Sequence, residues 1–341
     1  MRAAFCTAAG AIDLRTVAPP PASDGDVTVA VHACGICGSD LHYYAGADPP
    51  PAVCLGHEIC GRLREPLGDL AAGAAVVVEP LVACGRCARC RQGEPNLCAR
   101  LQILGSMRPG GFADLVRVPA TSIYAVPPGL DLGTAMLAEP LAVAVHAVRL
   151  AAVGLGDEVL VLGAGSIGLL TAFAALRAGG RVTVSARHPH QAAAARALGV
   201  DAVVADDEAA VRAAARARRP DVVIETVGGA AATVDLALRV VRAGGRVVCL
   251  GKFTRPITLD PLRFLMKEVH LVSSMTYSRT EPEPDFATAL ALLAAEPRRL
   301  GALITHRLPL DRVDRAFATA ADKSSGAIKV AVVAAADPQK L

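Results

Sequence analysis

Residues Val159–Leu176, VLVLGAGSIGLLTAFAAL, make a run of eighteen residues without a charge. By length and apolarity the run could pass for a membrane span. Its centre argues otherwise. Gly163-Ala164-Gly165-Ser166-Ile167-Gly168 has the spacing G-x-G-x-x-G, with the β-prone Val159–Leu162 before it and an Ala- and Leu-rich stretch after it. That order predicts a strand, a tight turn and a helix start, the context in which this motif binds a dinucleotide. The glycines allow backbone to approach a pyrophosphate closely, and the helix N-terminus stabilises the negative charge. A plain strand–helix turn is the alternative. Further apolar runs at Val182–Val184, Val222–Ile224 and Val247–Leu250 are separated by Ala-rich stretches of helical length. Such alternation predicts βαβ units around a parallel sheet, an α/β fold.

The cofactor type is read one strand further on. Units that bind NAD place an Asp or Glu about 20 residues after the turn, on the ribose 2′-hydroxyl. Here no acidic residue occurs between Glu158 and Asp201, and the second expected strand ends Ser185-Ala186-Arg187-His188. An arginine at that place suits a 2′-phosphate, so Arg187, with His188 beside it, predicts NADP, with NAD as the alternative. The plainer reading leaves Arg187 facing water.

Outward from the turn the texture changes. Residues 1–80 alternate short apolar runs, such as Val27–Val31 and Ala75–Val78, with Pro and Gly punctuation, which predicts β or irregular structure without regular helices. The start, MRAAFCTAAGAID, lacks a leucine-rich centre and reads as a first strand instead of a signal peptide. From about Leu303 short strands return, with one helix around Asp311–Ala321. The expected organisation is a β-rich domain over 1–145, an α/β domain over 146–280, and a return to the first domain over 281–341.

Composition narrows the function classes. With 341 residues, 53% hydrophobic and 20% charged, the chain can build two cores and is not disordered. A net charge of +3 spread without blocks, and only 3% aromatic residues, exclude a nucleic-acid partner. No membrane partner is expected, and the cytoplasm follows as the default. The ten cysteines cluster in a way that suits metal ligation better than disulfides.

Two metal centres are expected. Cys84, Cys87, Cys90 and Cys98 give C-x2-C-x2-C-x7-C in a polar loop, a spacing that lets four thiolates close a tetrahedral structural zinc site. An iron–sulfur cluster is the rival, although its common spacings differ. Earlier, Cys37 and His57 supply one soft and one borderline ligand, and Glu139 in LAEPLAVAVHA is a candidate third. Three protein ligands suffice for a catalytic zinc, leaving a position for water or substrate.

Taken in order, GICGSD, GHE, the cysteine lobe, AEPLAVAVHA, the glycine turn and the closing GAIKVAV make the chain resemble the zinc-dependent medium-chain alcohol and polyol dehydrogenases. The resemblance implies a GroES-like catalytic domain plus a doubly wound Rossmann domain, with the active site in the cleft between them. It implies Cys37 and His57 as zinc ligands, with Glu139 at a third ligand position that varies among Cys, Asp and Glu. In polyol-type relatives Glu58 is the ligand and Glu139 holds the zinc water, and the two arrangements stay open. Asp40 matches a carboxylate that orients His57, or else a turn cap. Ser39 and His42 match a proton relay, Lys329 a basic residue that meets the cofactor pyrophosphate, and Tyr43 a pocket residue of sorbitol-type enzymes. Those enzymes carry an Arg-Tyr pair where this chain reads Thr276-Tyr277. Cys6, Cys34, Cys54, Cys60 and Cys249 have no matching role, and His146 reads as a helix histidine. The implied reaction is hydride transfer between NADP(H) and a secondary alcohol or ketone, possibly polyol- or sugar-like, in a homodimer or homotetramer joined through the Rossmann sheet. NAD-linked threonine or polyol oxidation, a zinc-free alkene or quinone reductase, and a non-catalytic zinc-binding protein are the alternatives.

Overall fold

The computed structural model describes residues 1–21, 24–280 and 283–334. The chain divides into two compact units, Met1–Glu139 with Ser278–Leu341, and Pro140–Tyr277. The expected breaks after residues 145 and 280 fall a few residues downstream of these.

In the unit Pro140–Tyr277, six parallel strands stand in the order Ala202–Ala205, Arg181–Ala186, Glu158–Leu162, Val222–Glu225, Arg246–Cys249 and His270–Ser273. The inner strands are apolar and buried along almost their whole length, as a sheet covered on both faces requires. Strand order reverses between Glu158–Leu162 and Val222–Glu225, the switch point where doubly wound sheets bind ligands. The two outermost strands are four residues long and only partly buried. That is why neither stood out as an apolar run.

In the other unit, the strand Asp26–Gly35 is the centre of a seven-stranded sheet. It pairs antiparallel with Glu58–Leu63, with Leu115–Pro119 and, from the far end of the chain, with Lys329–Val333. Its sequence DVTVAVHACG alternates in its first half and buries Val27, Val29 and Val31 in the core. The helix Val313–Ala321 lies over that core, with Phe317 edge-on to Phe112 at 5.5 Å between ring centroids. One expectation is corrected: residues 1–80 do contain a regular helix, Gly38–Tyr44, seated where the central strand ends. Among the described residues no helix is long and apolar enough to cross a membrane. Val159–Leu176 folds instead as a strand, a turn and the helix Ser166–Arg177.

Candidate active site

Strand pairing brings the metal-ligating candidates together. The central strand ends at Gly35, opposite Glu58, which opens the neighbouring strand just after His57. Only glycine fits there, because a Cβ on Gly35 would lie 1.8 Å from Glu58 Oε2. Two residues beyond Gly35, Cys37 caps the helix Gly38–Tyr44, its N–H donating to Asp40 Oδ2 at 2.9 Å. Cys37 Sγ, a ring nitrogen of His57 and a carboxylate oxygen of Glu58 lie within 4.8 Å of one another. Donors that share a zinc at its usual bond lengths stand roughly 3–4 Å apart, so the trio can close on one ion.

Glu58 carries the strongest sign of a cation. It is fully buried, and its Oε1 accepts the Lys329 ammonium at 2.5 Å. Its Oε2 is buried without a hydrogen-bond partner among the described residues. An unsatisfied carboxylate oxygen away from water is costly, and a metal held with Cys37 and His57 would satisfy it. The donor set of one thiolate, one imidazole and one carboxylate is the chemistry zinc takes in open sites.

Lys329 corrects an expectation. Its side chain is 1% exposed, and the ammonium donates to Glu58 and to the Ile36 carbonyl at 3.1 Å. It is buried in the metal-site unit, paired with an acid, instead of standing free for a pyrophosphate. The sequence hid this pair because 271 positions separate the two residues.

The remaining candidates surround the trio. Asp40 is buried, with Oδ1 at 3.9 Å from His57 Nδ1, within ion-pair range but beyond a hydrogen bond. Burial pushes the Asp40 carboxyl upward, opposed chiefly by His57. Glu139 sits in the first turn of the helix Ala138–Ala151 and outside the trio. Burial drives its carboxyl up to about 7, with His57 opposing and Glu58 adding to the rise. Ser39 and His42 are three apart on the helix Gly38–Tyr44, so they share a face, and both are partly buried. Tyr43, on the same helix, packs against the hydrophobic core. Thr276 has φ +51°, a strained conformation for a β-branched residue, and Tyr277 is fully buried.

The four-cysteine lobe is built locally. The Sγ atoms of Cys84, Cys87, Cys90 and Cys98 all lie within 4.8 Å of one another, with 3.4 Å from Cys87 to Cys90 and 4.0 Å from Cys84 to Cys90. Four sulfurs at zinc–sulfur distance from one ion would stand about 3.8 Å apart. The backbone N–H groups of Cys84 and Arg100 donate to Cys98 Sγ at 3.4 Å. Backbone N–H groups of Arg86 and Cys87 hold the Cys84 thiol down at about 5, so a thiolate is available at neutral pH.

The glycine turn has the shape a dinucleotide needs. Gly163 has φ +99°, and a Cβ on Gly168 would lie 2.0 Å from the Gly163 carbonyl oxygen. Gly165 caps the helix that begins at Ser166 and Ile167, and a Cβ there would meet only open space, which leaves room for a phosphate. At the end of the second strand, Arg187 is exposed and His188 caps the helix Pro189–Ala197. Arg187 is not alone, because Asp206 accepts its Nε at 3.1 Å and its Nη2 at 2.9 Å. Asp206 was missed because it follows the third strand, and only the parallel pairing of Ala186 with Ala205 puts it beside Arg187.

Comparison with known proteins agrees with this architecture. Residues 23–128 match the alcohol dehydrogenase GroES-like domain, and residues 166–295 the zinc-binding dehydrogenase domain. The chain is 35% identical over 300 residues to the L-galactonate-5-dehydrogenase of Escherichia coli, covering 85% of this chain and 86% of that one. It is 33% identical over 325 residues to the L-idonate 5-dehydrogenase of Vitis vinifera, covering 89% and 87%. Among solved structures, a zinc-binding dehydrogenase of Sinorhizobium meliloti bound to NADP superposes with a TM-score of 0.85 at 33% identity, covering 97% of this chain and 98% of that one. The chain therefore belongs to the zinc-type alcohol dehydrogenase family of the medium-chain dehydrogenases, and it is an oxidoreductase.

Proposed function

We propose that the protein interconverts a secondary alcohol of a polyol or sugar acid with its ketone, using NADP(H). The observation that carries this reading is the convergence of Cys37, His57 and Glu58, with Glu58 Oε2 left for a cation. The relatives named for L-galactonate and L-idonate support the substrate class. The NADP in the Sinorhizobium structure and the basic end of the second strand support the cofactor.

Cys37, His57 and Glu58 would hold the catalytic zinc, and Cys84, Cys87, Cys90 and Cys98 the structural one. The catalytic ion would supply Lewis acidity to the alcohol oxygen, and the nicotinamide would exchange the hydride. The chain's own residues do the rest. Lys329 fixes Glu58 through Oε1, so that Oε2 is presented to Cys37 and His57. Asp40 adds negative charge beside His57 and braces the Cys37 backbone. Ser39 Oγ takes the proton from the substrate hydroxyl, and the His42 imidazole passes it on. Glu139, with its carboxyl near neutrality, can hold a proton close to the same site. Gly163, Gly165 and Gly168, with the N–H groups at Ser166 and Ile167, receive the pyrophosphate.

A second copy of the chain is the expected partner. The strand His270–Ser273 ends the six-stranded sheet, and the preceding helix Pro261–Lys267 exposes Leu262, Leu265 and Met266 at 66%, 70% and 74%. The grouping of Cys84, Cys87, Cys90 and Cys98 for a metal suits a cytoplasmic location. The test is a panel of polyols and aldonates assayed with NADP and NAD in parallel, alongside metal analysis. Turnover of a sugar acid or polyol with two zincs per chain is expected. Inactivity across the panel at full zinc content would overturn the reading.

A further inference from the structure

The three strands at one end of the parallel sheet carry a connected set of polar groups beyond the glycine turn. Gly163 N–H donates to Ser185 Oγ at 3.0 Å, and the Ser185 hydroxyl donates to Asp206 Oδ1 at 3.2 Å. The other oxygen of the same carboxylate, Oδ2, takes both Nε and Nη2 of Arg187. Asp206 is thus the hub between the glycine turn and Arg187. Ser185 is fully buried and the Asp206 side chain only 18% exposed, whereas Arg187 is 69% exposed. The carboxylate is therefore the fixed member of the pair and the guanidinium the movable one.

The edge that Asp206 occupies matters. A guanidinium binds phosphate best through two parallel N–H groups, and the Nε–Nη2 side is one such fork. We infer that Asp206 is a specificity-determining residue that stands in for the 2′-phosphate on Arg187, holding back NADP and keeping NAD acceptable. This rests on the dinucleotide reading of the turn above. With NADP, the phosphate must take the Nη1 side or displace Asp206, and the fixed carboxylate repels it. With NAD, the Arg187 charge is already neutralised and the ribose meets no unpaired cation. An exposed ion pair of this kind is weak, so the effect is a tuning of preference and not an absolute choice.

The experiment is calorimetric titration of the zinc-loaded chain with NADP⁺ and with NAD⁺, for wild type, Asp206→Asn, Arg187→Ala and the double variant. Asp206→Asn is expected to tighten NADP⁺ about fivefold while NAD⁺ changes less than about twofold. In the Arg187→Ala background the same substitution should have no effect on NADP⁺. Unchanged or weaker NADP⁺ binding in Asp206→Asn overturns the inference. So does equal weakening of both dinucleotides, which would mean that Asp206 serves only the turn through Ser185. Should wild type bind NAD⁺ alone, the NADP reading fails, yet Asp206→Asn must still gain NADP⁺ binding for the inference to survive. Failure of wild type to bind either dinucleotide overturns both.

Discussion

Cys84, Cys87, Cys90 and Cys98 come from fifteen consecutive residues and are four copies of one donor type, a set that would close the shell of a bound zinc. Cys37, His57 and Glu58 are unlike donors, brought together by the pairing of two strands, with buried Asp40, Glu139 and Lys329 around them. The first site needs only a loop that can fold onto an ion. The second needs the whole unit in place, because Lys329 arrives from the closing strand. Local assembly suits a brace for a loop poor in apolar residues, and distant assembly suits chemistry that must be shielded from water and surrounded by charge.

The largest expected effect separates the two sites directly. Cys37→Ala should lower turnover by about 10⁴-fold or more and reduce zinc from two per chain to one, with little change in melting temperature. Cys90→Ser should also leave one zinc, but its loss should appear first in thermal stability. Identical activity and melting profiles for the two variants would erase the distinction. Next in size is Lys329→Met, which strands Glu58 as a buried, unpaired carboxylate. Urea unfolding of the zinc-free protein should register a loss of about 3–5 kcal/mol. A change under about 1 kcal/mol would mean that Lys329 does not neutralise Glu58. His42→Ala should cost roughly 10²-fold in kcat and leave both zincs bound. A loss as large as that of Cys37→Ala would remove the relay role.

The smallest effect lies in the other unit, where no metal is involved. Asp221 accepts Arg242 Nε at 2.6 Å and the Glu158 N–H at 2.8 Å. Burial alone would raise its carboxyl, but Arg242 and the Glu158 N–H outweigh burial and hold it below the ordinary range. A depressed folded-state value gives stability that is present above the unfolded pKa and lost as pH falls through the folded one. Asp221→Asn should therefore cost under about 1 kcal/mol at pH 7, with the difference from wild type closing in acid. A difference that grows on acidification would contradict the sign.

Legibility followed locality. The cysteine lobe and the glycine turn are contiguous, and their spacing alone carried their geometry. Cys37 and His57 were found through motifs, whereas the choice of Glu58 over Glu139 for the trio needed the strand pairing that sets Glu58 against Gly35. Lys329 and Asp206 were misread or missed for one physical reason. Each meets its partner across a sheet, and a single sequence contains no record of which strands are neighbours. The helix Gly38–Tyr44 was overlooked because seven residues give too short a periodic pattern to recognise.

The Lys329–Glu58 contact also sets a schedule. During synthesis the ribosome delivers residues 1–139, then all of Pro140–Tyr277, before the segment that completes the first unit emerges. At ordinary elongation rates, Glu58 waits on the order of 10 s or longer for its cation. Until then the nascent first unit has a gap in its sheet beside Asp26–Gly35 and an acid that cannot comfortably be buried. A messenger cut short between codons 98 and 329 would yield a chain that carries Cys37, His57 and Glu58 but lacks the lysine that neutralises Glu58.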